Sequence, residues 1–383
     1  MLLNEDISHY FNTQRPENLR QFSVQDGYLG PQLFDVPDWA RPIGAKVAII
    51  GVDETRNAYP MPYLSKADNV RFWLYQLASF ENIEVADFGN IILGNSPADT
   101  YLAIEYITES LVRAGIIPIY IGGSHDLTYP IIRGLQKTQK KVEFGLIDSC
   151  FDILKTEGIS SRSYIIDILK KNKKKIFGNI IGYQSYFTTQ KQSDILDECN
   201  FSKYRLGIVR QQPSEMEPVL RDCDVVSFDA SSVRQADMLA AHQPSPNGFY
   251  TEEACQLASY AGLSDKSKSF GIFGVVSKNT PFDISANLSA QIIWHYISGI
   301  SQRKNDYPAC DLSKYKKIFV KLDDSEFDLV FYQNLQNNRF WMEIPQKNGK
   351  TGVIVSCSKS DYMSLANNEI PERIKKTLMR HGI

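Results

Sequence analysis

Val142-Glu143-Phe144-Gly145-Leu146-Ile147-Asp148-Ser149-Cys150-Phe151-Asp152 joins an apolar run to three side chains capable of chemistry, spaced two apart. Side chains two apart on an extended chain point the same way, so Asp148, Cys150 and Asp152 converge if strand geometry persists beyond Ile147. The same junction occurs twice more. Ile116 to Ile121 runs into Gly122-Gly123-Ser124-His125-Asp126, and Val225 to Phe228 runs into Asp229-Ala230-Ser231. A single aspartate at a strand end commonly caps the helix that follows. Three such junctions in one chain point to a shared site, because open parallel sheets gather their ligands at the carboxyl ends of their strands.

Working outward, Val47 to Val52, Ile176 to Ile181, Leu206 to Val209 and Phe270 to Val276 add further apolar runs. Their continuous apolarity predicts parallel strands covered on both faces by helices. Ser96, Pro97 and Asp99 form a helix start, and Ile104, Ile107 and Leu111 continue it at helical spacing. Tyr250 to Ala261 and Ala286 to Ser301 read as further covering helices.

This rhythm occupies residues 46–305 and is flanked by two segments of different character. Residues 1–45, punctuated by Pro16, Pro31, Pro37 and Pro42, read as a helix plus an extended wrap. Residues 306–383 change to Lys317 to Leu322, Phe327 to Tyr332, Phe340 to Ile344 and Gly352 to Cys357, separated by Asp323-Asp324, Asn337-Asn338 and Asn348-Gly349. That spacing predicts a small antiparallel meander, closed by a helix over Pro371 to Arg380. Phe331, Tyr332, Phe340 and Trp341 suit its core, and an exposed share of them would make a face for assembly.

Bulk properties exclude several function classes. The 383 residues carry a net charge of -2, with 43% hydrophobic and 22% charged residues, so no global field draws nucleic acid or anionic membrane. The basic runs Lys137 to Lys141 and Lys170 to Lys175 follow helical segments and lack interleaved aromatics. Six scattered cysteines form no CxxC pair, which favours reduced thiols. Neither a signal-peptide core nor a membrane-length apolar stretch is present, and a cytoplasmic location is the default expectation.

In their order, GGSHD, DSCFD and SFDAS resemble the motifs of the arginase, agmatinase and formimidoylglutamase superfamily, which read approximately GGDHS, DAHxD and SFDxD. The resemblance covers roughly residues 46 to 300 and is supported by Pro246-Asn247-Gly248-Phe249 before a helix. It implies a three-layer, doubly wound, mostly parallel α/β sheet and two bridged manganese ions activating a hydroxide against a guanidinium or formimino carbon. Residue by residue, the resemblance assigns the first ion to His125, Asp148, Asp152 and Asp229, all retained. The second ion shares Asp148 and Asp229, but its own ligand positions hold Cys150 and Ser231. Gly274 stands where the family has a substrate-binding glutamate, and Ile159 to Tyr164 contains no counterpart of the shuttle histidine.

A hydroxyl and a thiol are poor ligands for a hard divalent ion. Losing one ion of a pair undermines the bridging nucleophile. The expected cofactor is therefore at most one divalent ion, manganese or zinc, or none. Without metal, Asp148, Asp152 and Asp229 need another cation, for which Arg162, Arg210, Arg234 and Lys278 are the candidates. Two functions follow: a binding or scaffold module with impaired hydrolysis, taking a small molecule or protein, or a one-ion hydrolase of guanidino or formimino C-N bonds. Homo-oligomerisation is a further expectation from the family.

Overall fold

The computed structural model describes residues 5–34, 44–172, 175–277, 282–308, 312–322, 328–345 and 352–381. Among these residues nine strands form the main sheet: β1 (Phe11–Asn12), β2 (Val47–Gly51), β3 (Val85–Ile91), β4 (Ile117–Ile121), β5 (Val142–Ile147), β6 (Ile176–Tyr183), β7 (Ser202–Arg205), β8 (Val225–Asp229) and β9 (Ser269–Phe273). Their order is β1-β3-β2-β4-β9-β8-β5-β6-β7. All neighbours run parallel except β1, which pairs antiparallel with β3. Every residue of β2, β4 and β9 is buried, as strands sandwiched between helical layers require.

Two apolar cores lie on opposite faces of the sheet. One joins β2, β4, β8 and β9 to helices Ala67–Leu74, Thr251–Gly262 and Ile284–Ser301. The other joins the opposite face to helices Pro97–Arg113, Thr128–Thr138 and Tyr164–Asn172. Helix Pro97–Arg113 begins as its sequence predicts, with Ser96 and Asp99 closing a reciprocal capping box. Helices Thr251–Gly262 and Ile284–Ser301 cross where a Cβ on Gly262 would stand 2.1 Å from Tyr296 O.

A second sheet, order β10-β11-β12-β13, is antiparallel: β10 (Tyr315–Val320), β11 (Leu329–Asn334), β12 (Phe340–Ile344) and β13 (Val353–Cys357). It encloses its own core around Leu329, Phe331, Met342 and Leu365. Arg221, at the end of helix Met216–Arg221, ties it to the main α/β unit, with Nη2 donating to the carbonyls of Phe340 at 3.1 Å and Cys357 at 3.2 Å. Helix Glu372–His381 closes this part, and Arg380 Nη1 reaches Glu143 Oε1 at 2.9 Å.

Three sequence expectations need correction. Leu206 to Val209 is not a strand but lies within helix Leu206–Gln211, and the strand is the preceding Ser202–Arg205. That strand is at the sheet edge, where partial solvation tolerates Lys203 and Arg205. β3 was hidden by Asp87, Gly89 and Asn90, but the buried Asp87 accepts from Arg71 Nε at 2.6 Å and Nη2 at 3.0 Å. Helix Lys359–Ala366 was also missed, although Ser358 and Asp361 make a capping box. The turn residues Asp323, Asp324, Asn348 and Gly349 lie outside the described residues.

Among the described residues no helix is long and apolar enough to cross a membrane. The described cysteines, Cys150, Cys199, Cys223, Cys255 and Cys357, are free and buried.

Candidate metal centre

The three motifs and Gly274 follow β4, β5, β8 and β9, which are consecutive in the sheet as β4-β9-β8-β5. Chain segments separated by more than a hundred residues therefore open on one side of the sheet. Gly122 and Gly123, with φ of +87° and +75°, turn the chain sharply after β4 and deliver His125 to the carboxylates. Asp148 and Asp152 leave β5, and Asp229 ends β8.

His125 is the hub. Its Nδ1 lies 3.4 Å from Asp148 Oδ2, 3.0 Å from Asp152 Oδ2 and 3.5 Å from Asp229 Oδ2. Its Nε2 lies 3.0 Å from Ser227 Oγ, whose hydroxyl also meets Thr128 Oγ1. Ligand atoms of His125, Asp148 and Asp152 all fall within 4.8 Å of one another. Metal bonds of about 2.1 Å place adjacent ligand atoms about 3.0 Å apart in an octahedron and about 3.4 Å apart in a tetrahedron. The contacts at Nδ1 match that spacing, and the imidazole and carboxylate set suits manganese or zinc.

The opposite carboxylate oxygens face a different environment. Asp148 Oδ1 and Asp152 Oδ1 lie 3.4 and 3.7 Å from Cys150 Sγ. Asp229 Oδ1 accepts the Ser231 N–H at 2.6 Å, while Ser231 Oγ turns to Ser149 Oγ at 3.1 Å. Burial, reinforced by Asp148 and Asp152, pushes the Cys150 thiol far above its ordinary range, so it is not a thiolate. This side of the cluster thus offers a thiol and a hydroxyl, both poor ligands for a hard divalent ion. A Cβ at Gly274, where φ is +79°, would stand 3.2 Å from both Asp229 carboxylate oxygens.

Burial lowers the affinity of His125 for a proton, but hydrogen bonds to Asp148 and Asp152 outweigh it and raise its pKa. Burial and the charge of Asp148 raise Asp152 to about 7. At Asp148 burial is overcome by the hydrogen bond and charge of His125, which hold it at about 2. Burial raises Asp229 as well.

Of the three cationic candidates among the described residues, one reaches the cluster. Arg162 Nε lies 3.3 Å from Asp152 Oδ1, and Nη1 donates to Gln243 Oε1 at 2.8 Å. Arg210 instead pairs with Glu253 at 3.1 Å, and Arg234 with Asp237 at 2.8 Å, each over the Tyr250 ring. Their local acidic partners explain why they do not serve the site. Lys278 lies outside the described residues.

A small cavity of about 20 Å³, room for a water or an ion, opens over this cluster, lined also by Tyr63, Ser161 and His242. Tyr63 and His242 stack with ring centroids 4.3 Å apart, and the His242 backbone N–H donates to Gly274 O at 2.7 Å. Nothing in the local sequence pattern marks Tyr63 or His242 as site residues. Ser227 alone carried a signal, lying two residues before Asp229 on a strand and so on the same face.

A model described as Arginase family matches residues 50–298. The guanidinobutyrase of Pseudomonas aeruginosa is 24% identical over 137 residues, covering 34% of this chain and 37% of that protein. The mitochondrial guanidino acid hydrolase of Homo sapiens is 36% identical over 75 residues, covering 19% of this chain and 21% of that protein. The matched stretches thus span well under half the length of these curated relatives. A Trypanosoma cruzi formiminoglutamase solved with Mn2+2 superposes with a TM-score of 0.62 and 19% identity, covering 76% of this chain and all of that one. A formimidoylglutamase from Bacillus subtilis gives 0.63 and 17% identity, covering 70% and 91% of the two chains. At these identities the solved structures speak for the fold.

Proposed function

Since the chain belongs to the arginase family, we propose that its cavity is a one-ion centre derived from the family's hydrolytic site, acting on a C-N bond of a small guanidino or formimino compound. The convergence of three carboxylate Oδ2 atoms within 3.5 Å of His125 Nδ1 carries this reading. His125, Asp148, Asp152 and Asp229 would hold the ion. A divalent ion bound there supplies a water of lowered pKa at neutral pH. Ser227 orients the imidazole by accepting from Nε2, leaving the Nδ1 lone pair facing the place where the carboxylates gather and the ion would sit. Tyr63 and His242 wall the cavity and limit access of bulk water. The compounds named for the relatives, guanidinobutyrate, guanidino acids and formiminoglutamate, give the first panel to test.

A second reading, ligand binding without turnover, draws on Cys150, Ser231 and Gly274, which offer neither a second-ion ligand set nor a carboxylate for a cationic substrate.

One experiment separates them. The protein is saturated with manganese or zinc, excess ion is removed, and bound ions per chain are counted beside release of urea, ammonia or formamide from the panel. One ion with turnover abolished by Asp148→Ala supports the hydrolase. One ion with no turnover supports the binding module. Absence of bound ion ends the one-ion proposal.

A further inference from the structure

The three aspartates divide the site into two sides. Their Oδ2 atoms face His125, while the Oδ1 atoms of Asp148 and Asp152 face Cys150. Arg162 enters on the second side and meets the same oxygen, Asp152 Oδ1, that Cys150 faces. The approach is an ion pair without hydrogen-bond alignment, since the buried Nε has no hydrogen-bond partner among the described residues. A second link holds the guanidinium in place. Nη1 donates to Gln243, whose own amide donates to Tyr59 O at 2.7 Å. The Arg162 backbone is tied too, its carbonyl accepting from Leu154 N at 2.7 Å on the loop that continues from Asp152.

We propose that Arg162 is a built-in replacement for a second cation: it holds fixed positive charge beside Asp152 and Cys150 and thereby restricts the site to a single divalent ion. The inference rests on the one-ion reading but makes a separate claim, about which side of the cluster is closed and by what. Charge balance follows directly. Three ionised aspartates carry three negative charges, which one divalent ion and one guanidinium neutralise. A second divalent ion would leave an excess of positive charge and would have to settle against a guanidinium in a buried site, where like charges repel strongly. Arginine suits this role better than lysine because its charge persists throughout the working pH range.

The test restores the missing ligands and then varies the residue at 162. Cys150→His with Ser231→Asp supplies imidazole and carboxylate on the second side. The double variant is compared with versions that also carry Arg162→Met, which keeps bulk without charge, or Arg162→Lys, which keeps charge. Folding is checked by circular dichroism, and bound manganese per chain is counted by mass spectrometry under saturation. The expected counts are one for wild type, one for the double variant, two with Arg162→Met and one with Arg162→Lys. A double variant that binds two ions with Arg162 in place overturns the proposal, as does Arg162→Met without an added ion. Occupancy of the wild type reports separately on the one-ion reading. An ion gained only with Arg162→Met, with none in the wild type, would sustain the role of Arg162 while removing that reading.

Discussion

His125 presents Nε2 to Ser227 Oγ at 3.0 Å, and this contact decides which ring nitrogen faces the carboxylates. With the proton on Nε2, the Nδ1 lone pair points to the place where the Oδ2 atoms of Asp148, Asp152 and Asp229 gather. Removing the acceptor frees both the ring and its tautomer. Ser227→Ala should weaken manganese binding by roughly tenfold while the chain stays folded, since such supporting contacts are typically worth that much. Isothermal titration of the metal-free protein measures it, and an unchanged affinity would remove Ser227 from the site.

Asp152 makes opposite predictions with and without metal. In the metal-free protein its carboxyl is raised to about 7, chiefly by burial and then by Asp148. A raised carboxyl costs stability as pH climbs from the unfolded value of about 3.9 toward the folded one. Metal-free Asp152→Asn should therefore be more stable than wild type at pH 8, by about 1 kcal/mol or more. Added metal should stabilise wild type by about 2.7 kcal/mol at a hundredfold excess over its dissociation constant, and the variant far less. Urea unfolding at pH 8 reads both, and a variant that keeps the full metal gain would show that Asp152 is not a ligand.

Asp87 provides the acid limit. Burial opposes its ionisation, but Arg71 and Arg15 outweigh that cost and hold its pKa below the usual range. A depressed carboxyl contributes stability that is complete above the unfolded value, about 3.9, and is lost as pH falls through the folded one. Asp87→Ala leaves Arg71, only 1% exposed, without its main partner and should cost about 3–5 kcal/mol at pH 7. The variant should also lose part of the wild-type drop in stability below pH 4. An identical acid limb in both proteins would refute the assignment.

Gly262 sits where two covering helices touch, with room for no side chain against Tyr296 O. Gly262→Val forces these helices apart and should destabilise by about 1–3 kcal/mol, the usual cost of overpacking. Thermal unfolding measures it. A neutral effect would mean that the crossing is looser than the 2.1 Å approach requires.

The sequence alone determined the parallel α/β core, because strands covered on both faces must be apolar throughout, as β2, β4 and β9 are. It also drew attention to the strand ends that carry His125, Asp148, Cys150, Asp152, Asp229 and Ser231, whose roles as ligand positions came from the order of three motifs that resemble those of the arginase family. It could not rank Arg162 above Arg210 and Arg234. A long cation's partner is set by neighbours distant in sequence, and only the folded chain put Glu253 beside Arg210 and left Arg162 against Asp152. β3 escaped for the same reason: Asp87 is tolerable in a buried strand only because Arg71, on another element, neutralises it. Local pattern reports what each segment can bury, whereas the pairing of buried charges is decided by strand order, which here brings β4, β9, β8 and β5 side by side.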